Sequence, residues 1–194
     1  MSNDVRAVNR SRLTLIAIFA FFALPMTVAW LLNFGGGWAP GATTNHGALV
    51  QPVIPVDTTG LVGPAGDALD PNLFRGEWTL VYRLSGDCDE ICRQVLYVMR
   101  QVRLAQGKNI DRVHRLLLLD GVQAPAWVGE VQEHYPGLLI AHPVAAGGAE
   151  RFPAAGRVYL VDPLGNLMME YAADADPRGM IKDLERLLRI SYVG

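Results

Sequence analysis

Apolar and polar positions are unevenly distributed along this chain, and their spacing changes character twice. From Leu13 to Leu32 the run LTLIAIFAFFALPMTVAWLL carries no charge. A helix rising ~1.5 Å per residue needs about 20 residues to cross ~30 Å of hydrocarbon, so this run has the length of a transmembrane helix. Pro25 inside it predicts a kink and not a stop, because in lipid neighbouring groups re-satisfy the freed carbonyl. From Asn33 to Gly76 the chain is rich in Gly, Pro and Thr and has no helical periodicity, the mark of a linker that is only partly ordered. Within it Leu49–Val50 and Val53–Val56 read as short edge strands whose pairing Pro52 and Pro55 limit.

From Glu77 onward strands and helices alternate. Trp78–Leu84 is β-branched and aromatic, hence a strand. Glu90–Leu104 sets Ile91, Val95, Val98 and Val102 at helical spacing, with Cys92, Leu96, Met99 and Arg103 alongside, and ends near Gly107. Val113–Leu119 and Leu138–His142 are nearly continuous apolar runs, as expected of strands buried on both faces. Ala124–Tyr135 reads as a helix stopped by Pro136-Gly137. Arg157–Val161 and Asn166–Tyr171 flank Asp162-Pro163-Leu164-Gly165, a hairpin turn with Pro at its second position and Gly closing it. Asp176-Pro177 opens a last helix that presents Ile181, Leu184, Leu187 and Leu188. The resulting order, β-α-β-α-β, hairpin, α, is of the α/β class and is the order of a thioredoxin-like fold: a mixed sheet with flanking helices. The expected organisation is residues 1–12 cytoplasmic, 13–32 transmembrane, 33–76 linker and 77–194 the thioredoxin-like domain.

Charge orients the anchor. Arg6, Arg10 and Arg12 precede the apolar run against Asp4 alone, and no Lys or Arg follows until Arg75. The positive-inside rule therefore places the N-terminus in the cytoplasm and the domain outside, in a bacterial cell the periplasmic side of the inner membrane. Trp30 and Trp38 fit an outer aromatic belt. A cleaved signal peptide is the competing reading; the apolar core exceeds the usual ~7–15 residues, and Asn33–Trp38 offers no clean small-x-small site. Lys+Arg 17 against Asp+Glu 19 gives a net charge of −2 without a basic, aromatic-interleaved segment, which removes the electrostatic basis for nucleic-acid binding. Gly35–Gly37 precedes no helix and is no phosphate loop.

The two cysteines, Cys88 and Cys92, lie in Gly86-Asp-Cys-Asp-Glu-Ile-Cys where a strand gives way to a helix. Unpaired backbone N–H groups and the helix dipole favour a thiolate there. If both are helical their Cβ atoms lie roughly 5–6 Å apart, and a disulfide forms if Cys88 takes a looser cap position. The same spacing lets two thiolates grip a soft metal, Cu(I) above all. A small bracing disulfide is the plainer alternative, though so short a loop gains little entropically. Asp87, Asp89 and Glu90 crowd Cys88 with negative charge, which a bound cation relieves; as helix caps and first-turn acids they need no cation at all.

A strand, a C-x3-C opening a helix and a closing Tyr159-Leu160-Val161-Asp162-Pro163-x-Gly165 hairpin, behind an anchor, resemble the Sco/SenC family. Thr44-Asn45-His46-Gly47 before Leu49 and Pro52, with Leu96-Tyr97-x-Met99-Arg100-Gln101, is similar to small anchored Sco-like proteins associated with bacterial cytochrome oxidase genes. The resemblance implies a thioredoxin-like fold, copper as cargo, and a membrane-bound respiratory oxidase subunit or its assembly factors as partners. Two departures stand out. Asp89 and Arg93 occupy places where that family has proline after each cysteine. The family's third copper ligand, a histidine five residues before the hairpin tyrosine, is replaced by Ala154. His142, which opens the Ala/Gly-rich stretch to Ala149, is the substitute ligand to test. His114 reads as a structural strand residue, His134 as exposed on a helix, His46 as part of the docked linker and Met99 as core.

Two classes of function follow. One is a tethered thioredoxin-like accessory factor for oxidase assembly, in which Cys88 and Cys92 handle Cu(I) or exchange disulfides, with Cys88 attacking and Cys92 resolving. The other is a non-catalytic anchored module with a structural disulfide, docking through Arg93, Arg100 and Arg103. Paired carboxylates, a nucleophile elbow and zinc-ligand spacing do not occur.

Overall fold

Ser2–Phe34 form one continuous helix, α1, that runs through Pro25. Within it Arg12–Leu32, of mean hydropathy 2.4, is long and apolar enough to cross a membrane. Apolar side chains face outward all around it, Phe19, Phe22, Leu24 and Leu31 among them, as a lipid-facing helix requires. The computed structural model describes residues 2–34, 44–145 and 148–191, with side chains in α1 from Arg12 on except that of Asn33. Trp38 and Gly35–Gly37 lie outside the described residues, as do the side chains of Arg6 and Arg10.

Asn45 begins the second compact unit, built on a seven-stranded sheet. Its strands are β1 (Ala48–Pro55), β2 (Leu61–Val62), β3 (Trp78–Leu84), β4 (Val113–Leu119), β5 (Leu138–Pro143), β6 (Arg157–Val161) and β7 (Asn166–Ala172), in the spatial order β1-β7-β6-β3-β4-β5-β2. Strands β3, β4 and β5 are parallel neighbours; β6 pairs antiparallel with β3, and β7 pairs antiparallel with β6. The two short pieces expected around Pro52 are one strand, β1, which pairs with β7 with its register broken between Leu49 and Ile54. Pro52 falls in that break, where the ladder needs no donor. Asp162 organises the hairpin turn: its carboxylate accepts from the Leu164 and Asn166 N–H groups while its carbonyl accepts from Gly165 N at 2.9 Å.

The helices are α2 (Glu90–Ala105), α3 (Val128–His134) and α4 (Pro177–Ile190), with a 3-10 turn at Gly107–Arg112. Apolar residues of α2, α3 and α4 share one core with one face of the sheet. The other face carries Val81, Leu116, Leu118, Tyr159 and Leu167, and among the described residues of this unit no helix contributes to its core. Its cover comes from Val56, Leu61 and Phe74, in the segment read as linker, and from Ala149 and Phe152. Strands buried on both faces need two covers, and the sequence pattern supplied helices for only one.

Two helical faces differ from expectation. On α2 the buried residues are Cys92, Val95, Leu96, Met99 and Val102, while Ile91 is 59% exposed and Val98 only half-buried. The helix is rotated toward Cys92 because the disulfide partner and the core both lie on that side. On α4 the fully buried set is Gly179, Met180, Asp183, Leu184 and Leu188, with Ile181 and Leu187 at its margin. The helix expected at Ala124–Tyr135 is confined to Val128–His134, and Ala124 and Trp127 pack on the core ahead of it.

Asp183 is a buried carboxylate that fastens the start of the unit. It accepts from His46 N at 2.8 Å, Gly47 N at 3.0 Å, His46 Nδ1 at 3.0 Å and the Tyr171 hydroxyl at 3.2 Å. Burial alone raises its pKa, but the hydrogen bonds from His46, Gly47 and Tyr171 outweigh that and hold it below the ordinary carboxylate value. The approach is so close that a Cβ on Gly179 meets His46 Cβ at 2.8 Å, and one on Gly47 meets the Tyr171 ring at 2.6 Å.

Candidate functional site

Parallel strands end their carboxyl termini at one edge of the sheet, the place where α/β folds put their chemistry. The loop after β3 carries Cys88, and α2 begins two residues later. Asp89 is the helix N-cap, in extended conformation, and its carboxylate accepts from Cys92 N at 2.9 Å. Cys88 therefore lies just outside the helix and Cys92 in its first turn. This is the looser placement that lets them bond: they form a disulfide with Cα atoms 5.0 Å apart. Cys92 is fully buried in the core shared by α2 and the sheet, whereas Cys88 is half-buried and only borders it.

A cleft of about 130 Å³ lies against Cys88, lined by Arg93, Trp127, Val131, His134 and Tyr135 with Glu130 at its edge. Side-chain hydrogen bonds hold its walls together. Trp127 Nε1 donates to Asp87 at 3.3 Å, the Tyr135 hydroxyl donates to Arg93 O at 3.2 Å, and Arg93 Nη1 donates to Cys88 O at 3.3 Å. The three acids around Cys88 are thus already engaged: Asp87 with Trp127, Asp89 as the cap, and Glu90 with Arg93 at 3.5 Å. The crowding that pointed toward a bound cation is answered by these partners. The helix N-terminus and Arg93 also lie beside Cys88, and both favour a thiolate there once the pair is reduced.

The histidines are held elsewhere or in another role. His46 is on Asp183, and His114 pairs with Glu77 at 2.5 Å. His142 is buried near the end of β5, opposite Val62 of β2, with its Nδ1 3.3 Å from the Pro143 carbonyl oxygen; it does not line the cleft at Cys88. His134, exposed as expected, does line that cleft, with its Nδ1 2.9 Å from Glu130 O. Met99 is fully buried core. Ala154 is clamped by the hairpin tyrosine: Ala154 N donates to the Tyr159 hydroxyl at 2.7 Å, and that hydroxyl donates to Ala154 O at 2.8 Å. Among the described residues no group of three His, Cys, Asp or Glu side chains converges as a metal site. Cys88, Cys92 and His142 are therefore not brought together as a ligand set. Two thiolates remain after reduction, a pair that suits Cu(I) but does not complete a three-ligand site.

Sequence reasoning missed Trp127, Tyr135 and His134 as site residues. Their signal was present in the spacing of one short helix, since Trp127, Val131, His134 and Tyr135 recur at intervals of three and four.

None of the curated proteins compared matches this chain. Among solved structures it is similar to copper-bound ScoI of Arabidopsis thaliana (16% identity, 71% of this chain and 99% of that one, TM-score 0.59). It is also similar to apo Sco1 of Thermus thermophilus (16% identity, 77% and 99%, TM-score 0.58). A third is BsSco, described as a member of the Sco family of cytochrome c oxidase assembly proteins with an identified disulfide switch (14% identity, 75% and 96%, TM-score 0.54). At these identities the likeness establishes a shared thioredoxin-like fold. The family described as transmembrane-like, thioredoxin-like, C-terminal domain matches residues 78–191, more than half of the chain, which is therefore a member of that family.

Proposed function

We propose that this chain is a membrane-tethered thioredoxin-like accessory factor for respiratory cytochrome oxidase assembly, acting by thiol–disulfide exchange through Cys88 and Cys92. The observation that carries the reading is the asymmetry of the pair. One sulfur borders an open cleft at a helix start, and its partner is buried behind it in a fixed first turn. That is the arrangement an attacking and a resolving thiol require. In the reduced pair the Cys88 thiolate attacks a client disulfide, forming a mixed disulfide and releasing one client thiolate. Cys92 then attacks the Cys88 sulfur, the client leaves as a dithiol, and the Cys88–Cys92 bond forms. Two electrons pass to the client, and an exported dithiol reductant resets the pair. A client reduced in this way is competent to take copper. Support for the oxidase context comes from the Sco fold and from the oxidase-assembly description of BsSco. The apolar stretch Arg12–Leu32 supports the tether, and the arginines before it support a periplasmic domain on the inner membrane.

A second reading, Cu(I) carried between the two thiolates, is favoured by the copper held in the Arabidopsis structure. One experiment separates the two. The unit Asn45–Gly194 is titrated against thiol redox couples with alkylation of free cysteines, and in parallel the reduced protein is loaded with Cu(I) and its metal content measured. Exchange predicts a reversible two-electron couple and mixed disulfides with client that accumulate in Cys92→Ser and vanish in Cys88→Ser. Stoichiometric copper lost in both variants supports the carrier. A disulfide that neither couple reduces, with normal oxidase assembly in both variants, refutes both and leaves a bracing bond in an interaction module.

A further inference from the structure

We propose that the groove between α4 and the 3-10 turn Gly107–Arg112 is a docking surface for anionic phospholipid headgroups. The groove, about 810 Å³ in volume, is lined by Lys108, Arg112, Lys182, Arg186 and Arg189, with Glu185 as its acid. The chain as a whole has net charge −2 and contains only two lysines, and both lie here. Positive charge has therefore been concentrated on one face of a slightly acidic protein, which produces a local field that the net charge hides. Arg178 extends the same stripe, since 178, 182, 186 and 189 fall three and four apart on α4.

The groove is built on firm ground. Arg112 donates to the Leu188 and Ser191 carbonyls at 3.0 and 2.7 Å, closing the C-terminal end of α4. Its guanidinium thus joins the 3-10 turn to the helix while adding charge to the groove. Asp111 of the same turn does not line the groove and lies 3.8 Å from Arg103. Next to the stripe, Ile190 is 65% exposed at the last turn of α4. Basic residues beside an exposed aliphatic side chain match a lipid interface, where phosphates take the charges and the apolar side chain enters the acyl boundary. A phosphate-bearing surface is also what the tether supplies. The inference rests on the anchor reading of Arg12–Leu32, which confines the unit to the neighbourhood of a bilayer. It does not depend on the chemistry of Cys88 and Cys92.

The test uses the full chain reconstituted into vesicles of neutral phosphatidylcholine, with or without roughly a third phosphatidylglycerol, since polybasic segments bind in proportion to anionic lipid. Lys108 and Lys182 are labelled with an amine-reactive acetylating reagent, and each peptide is read by mass spectrometry. Docking predicts labelling of both lysines slowed at least about fivefold on anionic vesicles, roughly the effect of one basic residue near such a surface. High salt should abolish the protection, and Arg186→Gln with Arg189→Gln should reduce it while the circular dichroism spectrum is kept. Unchanged labelling on anionic vesicles overturns the proposal. Equal protection by inorganic phosphate on neutral vesicles also overturns it, by making the groove a free-anion site. Flotation with neutral vesicles reads the anchor separately: a chain that floats without lysine protection refutes the docking alone, and a chain that does not float refutes the anchor on which the docking rests.

Discussion

Asp183→Ala is expected to loosen the start of the folded unit more than any surface substitution. The carboxylate is 4% exposed and receives two backbone N–H groups, an imidazole nitrogen and a phenol hydroxyl. Deleting it leaves those donors facing one another across a small void. Each unsatisfied buried donor costs ~1–3 kcal/mol, and the four do not add, because the His46–Gly47 segment relaxes toward water. Breaking a buried charged network by removing one partner costs about 3–5 kcal/mol. Domain stabilities are about 5–15 kcal/mol, so the variant loses a large share of what it has. For a unit of this size each kcal/mol moves Tm by about 2–4 °C, giving an expected fall of about 6–20 °C. Asp183→Asn keeps one carbonyl acceptor and should fall between wild type and alanine.

The same residue sets an acid limb. Its pKa is lowered on folding, so between the folded and unfolded values the unfolded chain binds more protons, and stability rises with pH there. The contribution is complete above the ordinary carboxylate value of ~3.9 and is lost as pH falls through the lower folded value. Urea unfolding of wild type and Asp183→Asn from about pH 6 to pH 2 should show the two curves converging at the acid end. An alanine variant within about 2 °C of wild type would show that the four hydrogen bonds carry no net stability, and parallel acid limbs would remove the carboxylate from the linkage.

Three further outcomes test the packing and the site. Met99→Ala should cost about 2–5 kcal/mol by urea denaturation while Ile91→Ser stays within ~0.5, since the first is fully buried and the second exposed; equal costs would contradict the rotation of α2. Gly179→Ala should destabilise by about 1–3 kcal/mol against its gain in helix propensity, because the new methyl meets His46 at 2.8 Å; a stabilised variant would mean that His46 yields freely. Trp127→Ala removes one wall of the cleft and the Asp87 hydrogen bond, so dithiothreitol should reduce the disulfide several-fold faster at a temperature well below the Tm of the variant, which falls because Trp127 also packs on the core; an unchanged rate would show that Trp127 does not screen the Cys88 sulfur.

Much of the fold was legible because local signals agreed with tertiary demand. Val113–Leu119 and Trp78–Leu84 are uniform strand formers, and the structure places β4 and β3 at those bounds. Asp162-Pro163-Leu164-Gly165 specifies its turn by backbone chemistry that no long-range contact needs to correct. What was not legible is the cover of the second sheet face. Val56, Leu61 and Phe74 are isolated among Gly, Pro and Asp, so no periodic window reveals that they are core. Asp183 was equally hidden. An acid inside an amphipathic helix reads as a solvent-facing residue until a partner distant in sequence arrives to be bound, as His46 does here. At the site, Cys88 and Cys92 announced themselves by spacing. The cleft did not, because Trp127 and Tyr135 reach Cys88 across a crossover between parallel strands.

Helix α4 ties these features together through three faces. Met180, Leu184 and Leu188 pack in the same core as Cys92 and Met99 of α2, so the helix helps fix the buried sulfur. Asp183, one position from Leu184, turns to the edge where His46 and Gly47 enter. Lys182, Arg186 and Arg189 face the basic groove. At 100° per residue, neighbouring positions serve different faces, and a load on one is transmitted as a rigid shift of the helix. The entry point of the tether, the groove and the packing behind Cys92 thus share one rigid element. Removing the Asp183 latch should soften all three together, whereas Arg186→Gln with Arg189→Gln alters the groove alone. If Asp183→Ala leaves the reduction rate of the disulfide unchanged even as Tm falls, α4 does not couple the entry segment to the cysteine pair, and the two act as independent parts of one fold.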